Sequence, residues 1–278
     1  MRNEEHDYSN FIDLQNENSS LTKIIGKITP GSNVLEFGPA GGYMTRYLKE
    51  NLGCKIVCVE ISEELANSAK LFCERMIIGD IDHLDFKKEF PVDHTFDFII
   101  FSDVLEHLYF PKKPLSESLR LLKENGRILA SIPNIAHGSI ILQLLNGRFE
   151  YQSQGLLDNT HIRFFTKSSI YSLFQETGYK IDHLERVKIG IFETEFDFKK
   201  DRYSEIQQEA ISLSEESETY QFIVDASRSS SKQLPVSEEK LLSSSESYRE
   251  FLDWKALKNA KIVRIAISFQ SVLNRILK

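Results

Sequence analysis

Short apolar runs alternate with stretches of helical periodicity along most of the chain. The runs have the length of strands, and the first has the nearly continuous apolar character of a parallel strand that is buried on both faces. Strands are predicted at residues 33–37, 55–60, 75–79, 96–102, 127–132, 179–189 and 220–225. Between them apolar residues recur at helical spacing, so the pattern predicts strands that alternate with helices.

The predicted helices have recognisable start and stop residues. Ser62 and Thr166 stand where a side-chain oxygen can cap a helix N-terminus, and Gly178 stands where a glycine can close one. Helices are predicted at residues 18–28, 43–51, 63–72, 114–123, 140–145 and 167–177, with an acidic helical insertion between the last two strands. A turn is predicted at residues 124–126, which read Glu-Asn-Gly.

The alternation predicts an α/β fold with a Rossmann-like, doubly wound, mainly parallel sheet of seven strands, in which 220–225 is the one antiparallel strand. In such sheets ligands bind beyond the carboxyl ends of the strands. The residues that follow those ends are therefore the first candidates for a functional site. The polar and aromatic segment 135–166 is long enough to form a lid over them.

The composition of the chain changes near Ala226. We predict a globular domain over residues 1–226, a serine-rich linker over 227–250 and a basic, amphipathic helical tail over 251–278. The apolar face of the tail could lie on an anionic membrane surface or on a protein partner. It could equally fold back on the domain or pair with a second copy of the chain.

Charge and cysteine content restrict the class of protein. A formal net charge of −7 argues against non-specific nucleic-acid binding. Cys54, Cys58 and Cys73 lack the spacing of metal ligands, so we expect buried thiols, a reducing compartment and no metal site. The N-terminus has no apolar signal segment, and no apolar run is long enough to span a bilayer. We expect a cytoplasmic protein, with peripheral contact at the inner membrane face only through the tail.

The most informative chemistry follows the first strand, where residues 36–42 read Glu-Phe-Gly-Pro-Ala-Gly-Gly. A glycine turn between strand and helix lets a ligand approach the main chain, and several cofactor classes use one. Glu36 stands at the mouth of the turn, and Asp80, Asp103 and Glu106 are expected at the same edge of the sheet. These charges would repel a pyrophosphate and attract a cationic ligand without phosphate. S-adenosylmethionine, with its ammonium and sulfonium groups, fits that description.

The same stretches resemble the class I S-adenosylmethionine-dependent methyltransferases. Residues 36–42 are similar to the acid and glycine turn of that family, and residues 102–108 are similar to its motif after strand four. Glu60 matches the acid that holds the ribose hydroxyls, and Asp80 with Ile81 matches the position that contacts the adenine. The resemblance covers about residues 21–226 and implies S-adenosylmethionine as cofactor and S-adenosylhomocysteine as product.

By this resemblance the implied cofactor contacts are Glu36, Gly38, Pro39, Ala40, Gly41, Gly42, Tyr43, Glu60, Ile61, Asp80, Ile81, Ser102 and Asp103. Ala40 departs from the family pattern, which has glycine at this position. We expect the alanine to be tolerated if its φ is negative.

A narrower resemblance concerns the methyl acceptor. Residues 133–134, 158–166 and 218–224 are similar to bacterial methyltransferases associated with glycosyltransferases and surface-polysaccharide synthesis. This resemblance implies O-methylation of a saccharide or another small hydroxylated molecule.

Transfer of a methyl group to a hydroxyl is helped by a base that takes the hydroxyl proton. His161 is the first candidate, because the segment around it should fold over the site. His107 is a second candidate, although we expect it more as a structural group that orients the cofactor loop through a hydrogen bond. Asp103 could serve instead of either histidine.

Two further polar side chains near the predicted site are expected to have no catalytic role, but each has an open alternative. His137 is a third candidate base, although it follows a flexible stretch and we expect it to be solvated. Arg163 could pair with Asp158, as we expect, or bind an anionic group of the acceptor. Two other functions stay open, a nicotinamide-dependent oxidoreductase and a non-catalytic methyltransferase-like scaffold recruited through its tail. Intact acids at Glu36 and Glu60 argue against the scaffold, since a fold that binds no cofactor has no need of them.

Overall fold

The chain forms a seven-stranded sheet flanked by helices, seen in a computed structural model that describes residues 13–196 and 203–229. The strands are β1 Asn33–Phe37, β2 Lys55–Glu60, β3 Arg75–Ile78, β4 Phe96–Ser102, β5 Leu122–Pro133, β6 Tyr179–Lys188 and β7 Thr219–Arg228. Their order across the sheet is β3-β2-β1-β4-β5-β7-β6. Only β7 runs antiparallel to its neighbours. The predicted mainly parallel sheet with one antiparallel strand is confirmed.

The helices flank the sheet as α1 Ser20–Ile25, α2 Tyr43–Glu50, α3 Glu63–Ala69, α4 Phe86–Glu89, α5 Lys112–Leu121, α6 Gly138–Leu145, α7 Lys167–Glu176 and α8 Glu205–Ser212. The predicted caps are present. The Ser62 hydroxyl accepts from the N–H of Leu65, and Thr166 forms a capping box with Ser169. No helix within the described ranges is long and apolar enough to cross a membrane.

Apolar layers cover both faces of the sheet, which explains the continuous apolar runs. In β4, Ile99 and Phe101 join the core on one face, while Phe98 and Ile100 join the core on the other. Phe101 stacks on Phe37 of β1 with ring centroids 4.6 Å apart. Each fully buried side chain of this size contributes about 1.5–3 kcal/mol to folding. Strands β1 and β4 are therefore stabilised by apolar packing on both faces.

The predicted turn at 124–126 is wrong, because these residues belong to β5. The register of β5 against β4 shifts between the pairs Phe96–Leu122 and Phe98–Arg127, so the extra residues lie in a bulge. A Cβ on Gly126 would approach the carbonyl oxygen of Phe96 to 2.9 Å, so the bulge depends on a glycine there. The preceding helix, α5, accordingly ends at Leu121, two residues earlier than predicted.

The far end of the chain extends the sheet further than predicted. Strand β7 continues to Arg228, so the first residues assigned to the linker are in fact strand. The rest of the predicted linker, from residue 230, and the predicted tail over 251–278 lie outside the described residues.

The strand order places the glycine turn at a switch point of the sheet. Strand β1 lies between β2 and β4, and the chain leaves β1 towards one edge and β4 towards the other. Crossovers on opposite sides open a crevice beyond the carboxyl ends of these two strands. Residues 38–42 follow β1 and residues 103–108 follow β4, so both motifs meet at this crevice.

Candidate functional site

The turn after β1 requires glycine at two positions. Gly38 has φ +65°, and a Cβ there would lie 2.8 Å from a methyl carbon of Val104. Gly42 has φ +82°, and a Cβ there would lie 2.7 Å from the Cα of Ala69 in α3. The first contact brings the turn against the segment after β4. The second packs the start of α2 directly on α3.

Ala40 corrects the expectation of a negative φ, because its φ is +49°. A non-glycine residue in this region carries strain of about 1–2 kcal/mol. The Ala40 N–H donates to Oε2 of Glu60 at 3.1 Å, and the Gly42 N–H closes the turn on the Pro39 carbonyl at 2.9 Å. These two bonds hold the strained conformation.

Glu60 links the turn to the end of β2. Its side chain is buried, and its second oxygen accepts from the N–H of Ser62 at 2.9 Å. Its main-chain carbonyl accepts from the N–H of Gly79 at 2.9 Å, which brings the end of β3 alongside. Ile61, the next residue, is 67% exposed and presents an apolar surface beside this carboxylate. A carboxylate next to an exposed apolar side chain suits a ribose diol followed by an adenine ring.

Glu36 lies in a different place from the one the sequence indicated. Its side chain is 2% exposed, beneath the turn and not at its mouth, and it accepts from the Thr45 hydroxyl at 2.7 Å. Burial raises the pKa of Glu36 from 4.5 to about 7, although the bond from Thr45 opposes the shift. The residue therefore supports α2 from below and does not present a fixed negative charge to the crevice.

Asp80 occupies the end of β3 as predicted, on the rim of the crevice. Its oxygens accept from the N–H of Asp82 at 2.9 Å and contact Nδ1 of His83 at 2.7 Å. Burial alone would raise the pKa of Asp80, but the bonds from His83 and Asp82 outweigh it and hold the pKa below 3.8. Asp80 is thus a rim carboxylate, and the adjacent Ile81 is buried in the core.

Asp103 stands where β4 ends, with φ +53°. Its N–H donates to the Ser131 hydroxyl at 3.0 Å, and that hydroxyl lies 3.2 Å from the hydroxyl of Ser102. Gln221 of β7 donates to Oδ1 of Asp103 at 2.7 Å. Burial raises the pKa of Asp103 to about 6, against the effect of Ser131. Sequence reasoning missed Gln221, and the only signal for it was its place in a strand predicted to pair near the site.

Two of the predicted catalytic histidines meet beyond β4. The rings of His107 and His161 lie edge to face with centroids 4.8 Å apart. Burial and the nearby His107 lower the pKa of His161 below its usual value, so its imidazole is neutral at pH 7. His107 contacts the hydroxyl of Thr160 at 3.1 Å, which ties it to the segment around His161 and not to the cofactor loop that it was expected to orient.

Glu106 shares this pocket with the two histidines. Its side chain is 1% exposed. Burial and the charge of Asp103 raise the pKa of Glu106 well above its usual value. Its main-chain carbonyl accepts from the N–H groups of Ile162 and Arg163 at 3.0 and 2.9 Å. The segment around His161 is therefore docked on the segment after β4.

The roles expected of His137 and Arg163 are both corrected. His137 is fully buried and caps α6, where Nδ1 accepts from the N–H of Ser139 at 3.2 Å. Burial lowers the pKa of His137. Arg163 donates to the carbonyl of Tyr109 at 2.7 Å, while Asp158 accepts from the N–H and hydroxyl of Thr160. Both side chains are fixed by tertiary contacts that the local sequence does not indicate.

Most predicted residues are thus brought together around one crevice. The turn with its residues Pro39 and Gly41 contacts Glu60 on one side and Val104 on the other. Tyr43 leans back over the turn, since its hydroxyl would lie 3.1 Å from a Cβ on Gly41. Asp80 and Asp103 line the crevice and the buried carboxylate of Glu60 lies directly against the turn, which suits a cationic ligand, whereas Glu36 lies beneath the turn and Ile81 in the core.

Comparison with known proteins agrees with this arrangement. A family model described as a methyltransferase domain matches residues 11–184. An uncharacterised protein of Methanocaldococcus jannaschii is 28% identical over an alignment that covers 54% of this chain. The alignment covers 66% of that protein, just under two thirds of its length. A ubiquinone biosynthesis O-methyltransferase of Coxiella burnetii is 21% identical over 62% of this chain and 73% of its own length.

Among solved structures, similarity extends to the complex between the Haloferax volcanii Trm112 methyltransferase activator and a methyltransferase. The match has a TM-score of 0.52 at 14% identity and covers 77% of this chain and 90% of the other. At this identity the likeness establishes the fold.

Proposed function

The chain belongs to the family of methyltransferase domains, and we propose that it transfers the methyl group of S-adenosylmethionine to a hydroxyl of a saccharide or another small hydroxylated molecule. The observation that carries the proposal is the contact between Glu60 and Ala40, which sets a buried carboxylate against the glycine turn. A pyrophosphate in this turn would lie beside that carboxylate and be repelled. S-adenosylmethionine, a methyl donor of methyltransferases, has a positively charged sulfonium and no phosphate, so it can bind beside this carboxylate.

Methyl transfer from a sulfonium requires the acceptor oxygen, the methyl carbon and the sulfur to lie in line. The carbon–oxygen bond forms as the carbon–sulfur bond breaks, and the acceptor proton passes to a base. The proposed bases are His161, His107 and Asp103, which lie together beyond β4. Asp103 is ionised above a pKa of about 6, so it is a stronger base than an ordinary carboxylate and is charged at pH 7.

Exposed aromatic side chains support a saccharide acceptor. Phe149 lies with ring centroids 5.4 Å from Tyr151 and 5.8 Å from Phe164, and all three rings are more than a third exposed. Phe164 follows the segment that is docked on Glu106. An aromatic surface can pack against the apolar face of a sugar ring while polar groups nearby orient its hydroxyls. The hydroxyl acceptor is further supported by the O-methyltransferase activity in the name of the Coxiella burnetii relative.

The acceptor class is tested by following a labelled methyl group. The protein is incubated with methyl-labelled S-adenosylmethionine and a panel of oligosaccharides, sugar nucleotides, amines and carboxylic acids. We expect the label on a saccharide as an ether that resists alkali. Label found only on amines, or only as an alkali-labile ester, would overturn the acceptor proposal.

Replacing Glu60 by alanine is expected to weaken cofactor binding. The change removes the acceptor of two main-chain N–H groups and the partner proposed for the ribose hydroxyls. Loss of such a charged hydrogen-bond partner costs about 1–3 kcal/mol, or about 5- to 150-fold in affinity. Calorimetric titration with S-adenosylhomocysteine measures this change. Glu64→Ala, in the exposed first turn of α3, is the matched control, and equal affinities for the two variants would remove Glu60 from the site.

A further inference from the structure

We propose that Glu106, His107 and His161 form a binding site for a first-row divalent metal ion beside the cofactor turn. The sequence predicted no metal site, because its cysteines lack the spacing of metal ligands. The fold brings the third residue to the other two. One ligand atom from each residue lies within 4.8 Å of the others.

The first observation is the state of the Glu106 carboxyl group. It is 1% exposed, and neither oxygen has a hydrogen-bond partner among the residues that the structure describes. A buried carboxyl with no partner is costly, and native proteins rarely leave one without a bound water or ion. The described residues therefore leave this carboxyl group open to a polar or charged partner that the chain itself does not supply.

The second observation is the spacing of the ligand atoms. Nε2 of His161 lies 4.0 Å from Oε1 of Glu106, which is too long for a hydrogen bond. Atoms bound to one cation at about 2.0–2.2 Å stand about 3–4 Å from each other. This separation is at the upper end of that range, and the widest pair of ligand atoms, within 4.8 Å, would close by about 1 Å around an ion.

The third observation is the orientation of the two imidazoles. Nδ1 of His161 lies 3.3 Å from the carbonyl of Leu156, and Nδ1 of His107 lies 3.2 Å from the carbonyl of Thr160. A carbonyl can only accept, so both bonds place the proton on Nδ1 and leave the lone pair on Nε2. Ligating histidines are typically held in this way by a second bond to a main-chain carbonyl.

The site is also held rigidly, although it joins two distant parts of the chain. Leu105 and Glu106 are buried in the short turn after β4. The N–H groups of Ile162 and Arg163 both donate to the carbonyl of Glu106, which fixes the position of His161. A prearranged ligand set loses little conformational freedom when the ion binds.

The ligand chemistry selects the class of ion. One carboxylate with two imidazoles suits a first-row divalent ion such as Zn²⁺ or Mn²⁺, whereas Mg²⁺ and Ca²⁺ favour oxygen ligands alone. Three protein ligands leave coordination positions open, as in sites where a metal binds a substrate. Val104, two residues before Glu106, touches the glycine turn, so the ligand residues follow directly on a contact with the cofactor crevice.

A role for the ion follows if the proposed hydroxyl acceptor is right, and this step rests on that proposed function. The acceptor oxygen would occupy an open position, and the cation would lower the pKa of its hydroxyl. The hydroxyl proton would pass to Asp103 or to water, the oxygen–methyl bond would form as the methyl–sulfur bond breaks, and the sulfur would leave as the uncharged thioether of S-adenosylhomocysteine. Under this arrangement His107 and His161 act as ligands, and Asp103 remains as the base.

Direct binding measurements on tag-free, full-length protein test the site without any acceptor. The protein is stripped of metal with a chelator, then titrated with ZnCl₂ by calorimetry and with MnCl₂ by electron paramagnetic resonance. We expect one ion to bind per chain, and Zn²⁺ to raise the Tm of the protein. The absence of saturable binding of either ion would overturn the proposal.

Variants locate the ion. Glu106→Gln keeps the shape of the side chain and removes its charge, so the variant should fold, which thermal unfolding without metal verifies. We expect it to lower metal affinity at least about tenfold and to abolish the Zn²⁺-dependent rise in Tm, and His161→Asn to do the same. His183→Gln, on an exposed position of β6, is the matched control and should bind like the unmodified protein. Equal binding by the Glu106 and His183 variants would place the ion elsewhere.

A parallel titration with S-adenosylhomocysteine separates this inference from the proposed function. Protein that binds the product and methylates a hydroxyl in excess chelator, but binds neither metal, would overturn the metal site alone. Protein that binds one ion through Glu106 yet methylates only amines would support the metal site and overturn the hydroxyl acceptor.

Discussion

Protein carrying Gly42→Ala is expected to lose about 2–5 kcal/mol of its free energy of unfolding. The first contribution is a left-handed backbone, since φ is +82°, and this costs an alanine about 1–2 kcal/mol. The second is a Cβ that would lie 2.7 Å from the Cα of Ala69, where main chain and not a flexible side chain must move. Overpacking of this kind costs about 1–3 kcal/mol. Urea unfolding followed by circular dichroism measures the loss.

Gly53→Ala is the matched control for this change. Gly53 also has a positive φ, of +62°, but a Cβ there meets nothing within 4 Å. The Gly53→Ala variant should therefore lose only the backbone contribution of about 1–2 kcal/mol from its free energy of unfolding. Because α2 begins at the turn, Gly42→Ala should also weaken S-adenosylhomocysteine binding while Gly53→Ala should not. Equal losses of stability in the two variants would contradict the close packing of α2 on α3.

Glu36→Gln is expected to reduce the loss of free energy of unfolding that the protein undergoes as pH rises. The folded pKa of Glu36 is about 7 and its ordinary value is 4.5, so the folded state favours the protonated carboxyl. The stability that this proton provides is present below pH 4.5 and is lost as pH rises through about 7. The difference corresponds to about 3 kcal/mol at higher pH. Glutamine is neutral throughout and avoids this loss.

The measurement is a difference between two pH values. The variant's free energy of unfolding relative to the unmodified protein should increase by about 3 kcal/mol between pH 4.5 and pH 8. Taking the difference cancels any fixed cost of placing an amide beside Thr45. Glu74→Gln, at an exposed position, should show no such increase. If the Glu36 variant follows the pH dependence of the unmodified protein, Glu36 is ionised in the folded state and the burial argument is wrong.

Strands buried on both faces were predicted with the correct bounds. The runs at β1, β2 and β4 agree with the structure residue for residue, because a strand covered on both sides is apolar along most of its length. Capping residues such as Ser62 were equally readable, since a cap depends on groups within a few residues. The bounds of strands that depend on pairing with a neighbouring strand could not be predicted in this way. The bulge in β5 follows from its register against β4, which no local pattern encodes.

The candidate site likewise has features that the sequence indicated and features that only the folded chain shows. The sequence indicated the glycine turn, the acids Glu60 and Asp80 and the motif after β4, because each is a short pattern of fixed spacing at the end of a strand. It could not indicate that Glu36 points beneath the turn or that Ala40 adopts a positive φ. The side of the sheet to which a strand residue points depends on the neighbouring layer. The φ of Ala40 depends on the bond that its N–H donates to Glu60 on another strand.

Taken alone, the sequence determined the architecture, the place of the crevice and the class of cofactor, since these depend on periodicity and on contiguous motifs. Only the tertiary structure decided what surrounds each titratable group. It buried His137 as a helix cap, joined Gln221 to Asp103, and brought His161 against Glu106 and His107. Charge and proton affinity depend on burial and on partners distant in the chain, so the chemistry of this site became visible only once the chain was folded.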